Sequence, residues 1–254
     1  YAFSLGRRWG NEGYQDGTFY GANSFFAAIE KKLNDKHSLN ITGFYTPNRR
    51  GKSSPNTQEV YDLKDIKYNE YWGYQDGQKR NSRVKRIAEP VLMLNHYWDV
   101  TDKTSLNTNA GYQFGKLGNS RLDFNGGSNP SPSYYQILPS YFLRYNDLSG
   151  AYNAQENFVN NGQLNWDRIF DANTTNASVA LNNAYVLYED RNDDKQFTIN
   201  TIYNSEINNN ISINGKLEYK GLRSKNFAEV LDLLGGIGYL DINNFADTEV
   251  QMQN

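Results

Sequence analysis

The residues best equipped for chemistry fall in a few short runs. Glu189-Asp190-Arg191-Asn192-Asp193-Asp194 carries oxygen-bearing side chains at alternate positions, and Asp190, Asn192 and Asp194 could offer ligands to Ca²⁺. Lys195 stands where an EF-hand loop needs glycine, and no Glu occupies the twelfth position, so a solvated loop shoulder is the preferred reading. Lys79, Arg80, Arg83, Lys85 and Arg86 form a basic run suited to phosphate groups, with a plain solvated loop preferred there too. Tyr68, Tyr71, Trp72 and Tyr74 cluster in one segment; Tyr134, Tyr135, Tyr141 and Trp166 lie in another. Such rings stack on sugars or peptides, which makes Trp72, Tyr74, Tyr134, Tyr135 and Trp166 the candidates to face a ligand or partner. Tyr and Trp also pack long loops into a stable layer, and that is the preferred alternative.

What is missing narrows the chemistry further. The chain has no cysteine, which removes thiolate metal sites, cysteine nucleophiles and disulfides together. His37 and His96 are its two histidines, far apart in sequence. His96 lies beside Trp98 on an apolar face, the place of a boundary-facing ring rather than a metal ligand. Without a convergent carboxylate pair, the expectation is a protein that is not an enzyme and uses no cofactor. A net charge of -2, from 26 basic and 28 acidic residues, creates no field that would recruit nucleic acid.

These runs hang on elements with a period of two. Leu106, Thr108, Ala110, Tyr112 and Phe114 share one face, and Ser105, Asn107, Asn109, Gly111 and Gln113 the other. The same alternation marks strands at about 1–9, 21–33, 38–46, 91–100, 105–115, 196–204 and 211–221. Short turns near 34–38, 101–104 and 204–210 alternate with long connections near 10–20, 47–90 and 116–195. A soluble sandwich spaces its turns more evenly; short turns at one end and long loops at the other mark an outer-membrane β-barrel. Aromatics make up 15% of the 254 residues although only 38% are hydrophobic, and no stretch reaches the ~18 apolar residues of a membrane helix. The fold class expected is therefore all-β: part of a transmembrane antiparallel barrel with extracellular loops. A secreted β-rich binding protein with one wet sheet face would show the same alternation.

Seven strands is an odd number for a bacterial barrel. The start at Tyr1 within a strand, and no closing aromatic strand near Asn254, read as a piece of something larger. The loops are expected to form an ordered layer, and Phe227, Val230, Leu231 and Leu234 predict a short helix over 226–235.

Several loop phrases carry a resemblance. Asn129-Pro130-Ser131-Pro132-Ser133-Tyr134-Tyr135 with Leu138-Pro139-Ser140-Tyr141-Phe142, Gly162-Gln163-Leu164-Asn165-Trp166-Asp167-Arg168-Ile169-Phe170, and Asp232-Leu233-Leu234-Gly235-Gly236 through Asp241 resemble TonB-dependent receptors of Bacteroidetes-type bacteria. The resemblance covers most of 90–254 and is weaker over 1–89. It implies a 22-stranded barrel in the Gram-negative outer membrane, with a plug and N-terminal domains that this sequence does not contain. It further implies import of a bulky nutrient (glycan, peptide or metal chelate) driven by the TonB system. A structural barrel subunit of a larger outer-membrane assembly is the alternative. Outer-membrane lipid and lipopolysaccharide are the expected partners, the latter at the Lys79–Arg86 run, and a surface lipoprotein could join them.

Overall fold

Alternation of apolar and polar residues lets a strand satisfy two different environments at once, and in the computed structural model the chain does this over most of its length. The structure describes residues 1–242; the expectation about the chain end near Asn254 lies outside them. Nine strands build one large antiparallel sheet: β1 (Ala2–Gly10), β2 (Tyr20–Lys32), β3 (His37–Tyr45), β4 (Asn48–Gly51), β7 (Val84–Ala88), β8 (Val91–Thr101), β9 (Thr104–Phe124), β10 (Tyr185–Asn208) and β11 (Ile211–Asp232). Between them β5 (Trp72–Gln75) and β6 (Gln78–Asn81) form a separate hairpin.

The nine strands are seven long ones, two of them interrupted by proline. β3 and β4 keep one register against β2, with Phe25 opposite Tyr45 and Ala22 opposite Asn48 on either side of Pro47. β8 and β7 likewise share one register against β9 across Pro90, with Val91 opposite Gln113 and Ala88 opposite Lys116. Proline has no N–H to give the ladder, so each strand is interrupted there, although the Pro47 carbonyl still accepts from Asn23 N–H at 3.1 Å and the Pro90 carbonyl from Phe114 N–H at 3.2 Å. Pairing therefore runs in a ring through β2, β3, β8, β9, β7 and β4 around the two breaks, while β1 and β11 flank the sheet. This is a partly ring-closed sheet and not a regular barrel.

Gly115, on β9, sits beside the second break with φ +145, and a Cβ there would lie 2.1 Å from the Ala88 carbonyl oxygen. Both the backbone angle and the space demand glycine. Gly115→Ala is expected to lower stability by about 1–3 kcal/mol in urea unfolding; an unchanged midpoint would show that the strand shifts freely at this point.

The expected strands are all present, but five run further: those at 38–46 and 91–100 continue past their prolines as β4 and β7, inside the expected loop 47–90, and three others extend more. β9, β10 and β11 continue to Phe124, back to Tyr185 and on to Asp232, so 116–124 and 185–195 are strand rather than loop. The helix expected over 226–235 is instead the end of β11, where Phe227 opposes Arg191 and Val230 opposes Tyr188. A ladder with β10 that runs on to Asp232, with one register shift between Leu187 and Tyr188, satisfies more backbone groups than a short helix would, and it overrides the helical spacing.

Register joins the faces across the sheet. Ile29, Ile41, Leu94, Ala110, Ile199 and Tyr219 form one row on the apolar face; Glu30, Asn40, Asn95, Asn109, Asn200 and Glu218 form the corresponding row on the polar face. Asn95 Nδ2 donates to Asn40 Oδ1 at 3.1 Å and Asn109 Nδ2 to Asn200 Oδ1 at 2.9 Å. On β9 the apolar band runs from Leu106 to Phe114, roughly 26 Å along the strand at about 3.3 Å per residue.

Buried apolar residues gather in the long connections instead. Helices α1 (Gln58–Leu63), α2 (Pro139–Arg144), α3 (Leu148–Asn161) and α4 (Trp166–Ser178) lie there. Val60, Tyr68, Leu138 and Phe158 make one core; Leu164, Trp166, Ile169, Ala184, Tyr185, Leu187 and Leu234 make another. Helix starts are capped by Thr57, Asp147 and Asn165 side chains. Buried asparagines replace missing backbone partners: Asn173 Nδ2 donates to the carbonyls of Tyr185, Leu233 and Leu234 and its Oδ1 accepts from Tyr185 N–H. The loops thus form the ordered layer that their aromatic content suggests.

Candidate functional site

The long connections lie at one end of the sheet, where its two faces diverge in chemistry. On the apolar side, above Phe114, the face becomes charged. Glu189 and Arg191 are buried there, and Arg191 pairs with Asp193 at 2.7 Å, with Glu189 at 3.7 Å and with Glu229. Arg86 reaches the same Glu189 at 2.7 Å. Gly118 makes room for that carboxylate, since a Cβ there would fall within 2.1 Å of the Glu189 side chain.

On the polar side two adjoining clefts share Arg121 and Asp123. One, of about 340 Å³, is lined by Glu70, Tyr71, Arg83 and Ser131 among others; the other, of about 440 Å³, by Tyr188, Asp190 and Tyr239. Arg83 lies 5.2 Å from the Tyr71 ring centre and Arg121 4.5 Å from that of Tyr188. Tyr239 donates to Asp123 at 2.9 Å; burial first, and then this bond, push its phenol pKa upward and keep it protonated. Glu70 accepts from Ser133 Oγ at 2.6 Å and from Ser131 Oγ. The carboxylates of the first cleft are therefore engaged, while among the described residues the guanidinium of Arg83 meets only a ring.

The sequence candidates divide sharply. Trp166 has no exposed surface; its Nε1 donates to the Arg80 carbonyl at 3.1 Å and the Arg80 guanidinium covers its ring at 4.3 Å. Trp72 is buried against Gly17, with Lys79 4.8 Å from its ring centre. Both are packing residues and not ligand-facing, because a bulky ring is the cheapest way to fill a loop core. Tyr74 and Tyr135 are exposed, and Tyr134 packs edge-on to Tyr135, which in turn meets Tyr141.

The basic run is split by strand alternation. Lys79 is bound to Glu12 at 2.6 Å, Arg80 to Asp232 at 2.6 Å and Arg86 to Glu189. Arg83 and Lys85 fall on the polar face, opposite to the apolar band, so the run does not form one phosphate-binding surface. The calcium reading fails for a related reason. Asp190, Asn192 and Asp194 share the polar face of a continuous strand, about 6.6 Å apart in steps of two residues, and cannot converge on one ion. Asp190 is also held by Arg121 at 3.1 Å. The solvated-loop alternative fails with it, since Glu189 and Arg191 on the opposite side of this strand are buried.

The two histidines, remote in sequence, meet across β3 and β8. His37 Nδ1 and His96 Nε2 lie 3.0 Å apart with rings parallel to within 2°, and His37 also stacks on Trp98. A hydrogen bond joins the two rings on the apolar face near the turns, with donor and acceptor set by their tautomers. Register between β3 and β8 would have revealed the pair; neither residue signals it alone. Arg50 and Lys52, which no sequence motif marks, join Arg83 and Lys85 on the polar face.

No protein-family model matches the chain, and the curated proteins contain no significant match to it.

Proposed function

We propose that the chain is a segment of an outer-membrane β-barrel receptor of the TonB-dependent type, importing a bulky nutrient past extracellular loops. The observation that carries this reading is the two-faced sheet: a broad apolar surface with no protein layer over it among the described residues. Leu217 is 78% exposed, Ile29 62% and Ile41 59%. Apolar rows of this extent need a non-aqueous neighbour, and lipid supplies one. The other face is lined with amides, as a wet lumen requires. The resemblance in the loop phrases adds the receptor class and the dependence on TonB.

Cations on the outward face support the same placement. Lys195 and Arg223 continue the row of Phe114, and Lys116 and Lys225 flank Asp193 in the next. All four are exposed, at the level where lipid phosphates would begin. They replace the Lys79–Arg86 run as the proposed contacts with lipopolysaccharide.

Because the chain lacks cysteine, single substitutions test this cleanly. Fluorophores at Leu94→Cys and Asn95→Cys, in protein reconstituted into vesicles, should be quenched in opposite ways, the first by a lipid-soluble quencher and the second by a water-soluble one. Equal aqueous quenching at both would favour the secreted soluble reading. Import is tested by growth of a gene-deletion strain on panels of glycans, peptides and chelated metals. Unimpaired growth throughout would favour a structural subunit.

A further inference from the structure

We propose that the polar face at the loop end binds an anionic oligosaccharide, its carboxylate or sulfate groups met by Arg50, Lys52, Arg83 and Lys85. The inference rests on the reading that this face lines the import path, and it names the class of nutrient.

The geometry begins with register. Arg50 lies directly opposite Lys85, and the Lys52 N–H donates to the Arg83 carbonyl at 2.8 Å. Four cationic side chains therefore occupy two adjacent rows on one face, about 5 Å apart across strands and about 7 Å along them. Among the described residues none of the four has a carboxylate within 4.0 Å. On the opposite face Arg86 is paired with Glu189, and Arg49 lies over the Phe19 ring at 4.8 Å. Like charges held this close repel, and the consequence is visible at Lys52. Burial, then Lys85, Arg83 and Arg50, push its ammonium below the ordinary lysine range, with Asp190 opposing. A bound anion would relieve that repulsion.

The surroundings select a hydroxyl-rich anion over a bare one. Arg83 also lines the cleft of about 340 Å³ with Glu70, Tyr71 and Asn129, which supply acceptors, a ring and an amide. The amide row Asn40, Asn95, Asn109 and Asn200 continues the same face about 33 Å away, at about 3.3 Å per residue from Asn119 to Asn109, where the far end of a longer oligosaccharide would reach it. Charged groups of a sugar acid would meet the cations while its hydroxyls meet the amides.

The test is binding of sulfated dextran oligomers and oligogalacturonates, against neutral dextran of equal length, to the whole chain in detergent. Binding of both anionic probes, weakening with salt, and none of the neutral one, is expected. Arg50→Gln with Lys85→Gln should reduce affinity by about tenfold, with far-UV circular dichroism confirming retained strand content. Lys116→Gln with Lys225→Gln, on the opposite face, should leave it unchanged. Equal binding of neutral dextran, or equal loss in both double variants, would overturn the proposal, the latter by showing non-specific polyelectrolyte attraction. The quenching experiment reports membrane placement independently, so binding retained by a protein whose Leu94 faces water would sink the receptor reading and leave this site standing.

Discussion

Arginine in place of Ile199 is expected to destabilise the vesicle-embedded protein by about 2–4 kcal/mol, while arginine in place of Asn200 costs about 1 kcal/mol or less. The two residues are adjacent on β10 and face opposite ways. Ile199 stands between Ala110 and Tyr219 in the middle of the apolar band; Asn200 stands between Asn109 and Glu218. A guanidinium in hydrocarbon loses its hydration without gaining a partner, whereas beside Glu218 it gains one. Depth sharpens the expectation. Ile213 has the same facing but lies near the turn joining β10 and β11, and its replacement by arginine should fall at the low end, about 0–1 kcal/mol. Denaturant unfolding in lipid vesicles gives all three values. Equal costs at Ile199 and Asn200 would remove the assignment of faces.

The second large effect is at Arg191. Its side chain is 7% exposed and is the common partner of Glu189, Asp193 and Glu229. Arg191→Met removes one partner from the buried Glu189 and leaves Asp193 and Glu229, 28% and 49% exposed, to water, so a loss of about 1–3 kcal/mol is expected, below that of a fully buried pair broken on one side. Glu189 keeps Arg86, so Glu229 and Asp193 bear most of the imbalance. Adding Glu229→Gln to Arg191→Met should recover part of the loss, measured as a double-mutant cycle. A single variant as stable as the parent would mean that water reaches these groups and that the network is ornamental.

The lower halves of the strands were legible because there one face is apolar and the other polar, so alternation shows in residue type. Higher up it does not. Arg191, Asn192 and Asp193 are polar on both sides of β10, and a period of two among charged residues is invisible without a partner strand. That hid the strand through 185–195, turned Asp190, Asn192 and Asp194 into an apparent calcium loop, and merged Arg83 and Lys85 with Arg86. Phe227, Val230, Leu231 and Leu234 fitted a helix locally, and only the ladder to Leu187–Arg191 excludes it. Trp72 and Trp166 were readable as loop aromatics, but not as buried ones, since burial depends on which distant backbone closes over them. The face-to-face histidines have the same cause: a register between strands far apart in the chain.

Pro47, Pro90 and Gly115 lie on three neighbouring long strands at nearly one level. The ladders through β10 and β11 pass that level without interruption. Bending stiffness in a sheet comes from its cross-strand bonds, so compliance is concentrated on the side where the two prolines withhold donors from the ladder. The loop layer is thus joined to the wall by a stiff post on one side and a soft crease on the other. Any force on the layer, from a captured ligand or a docked partner, would tip it about β10 and β11 rather than lift it evenly.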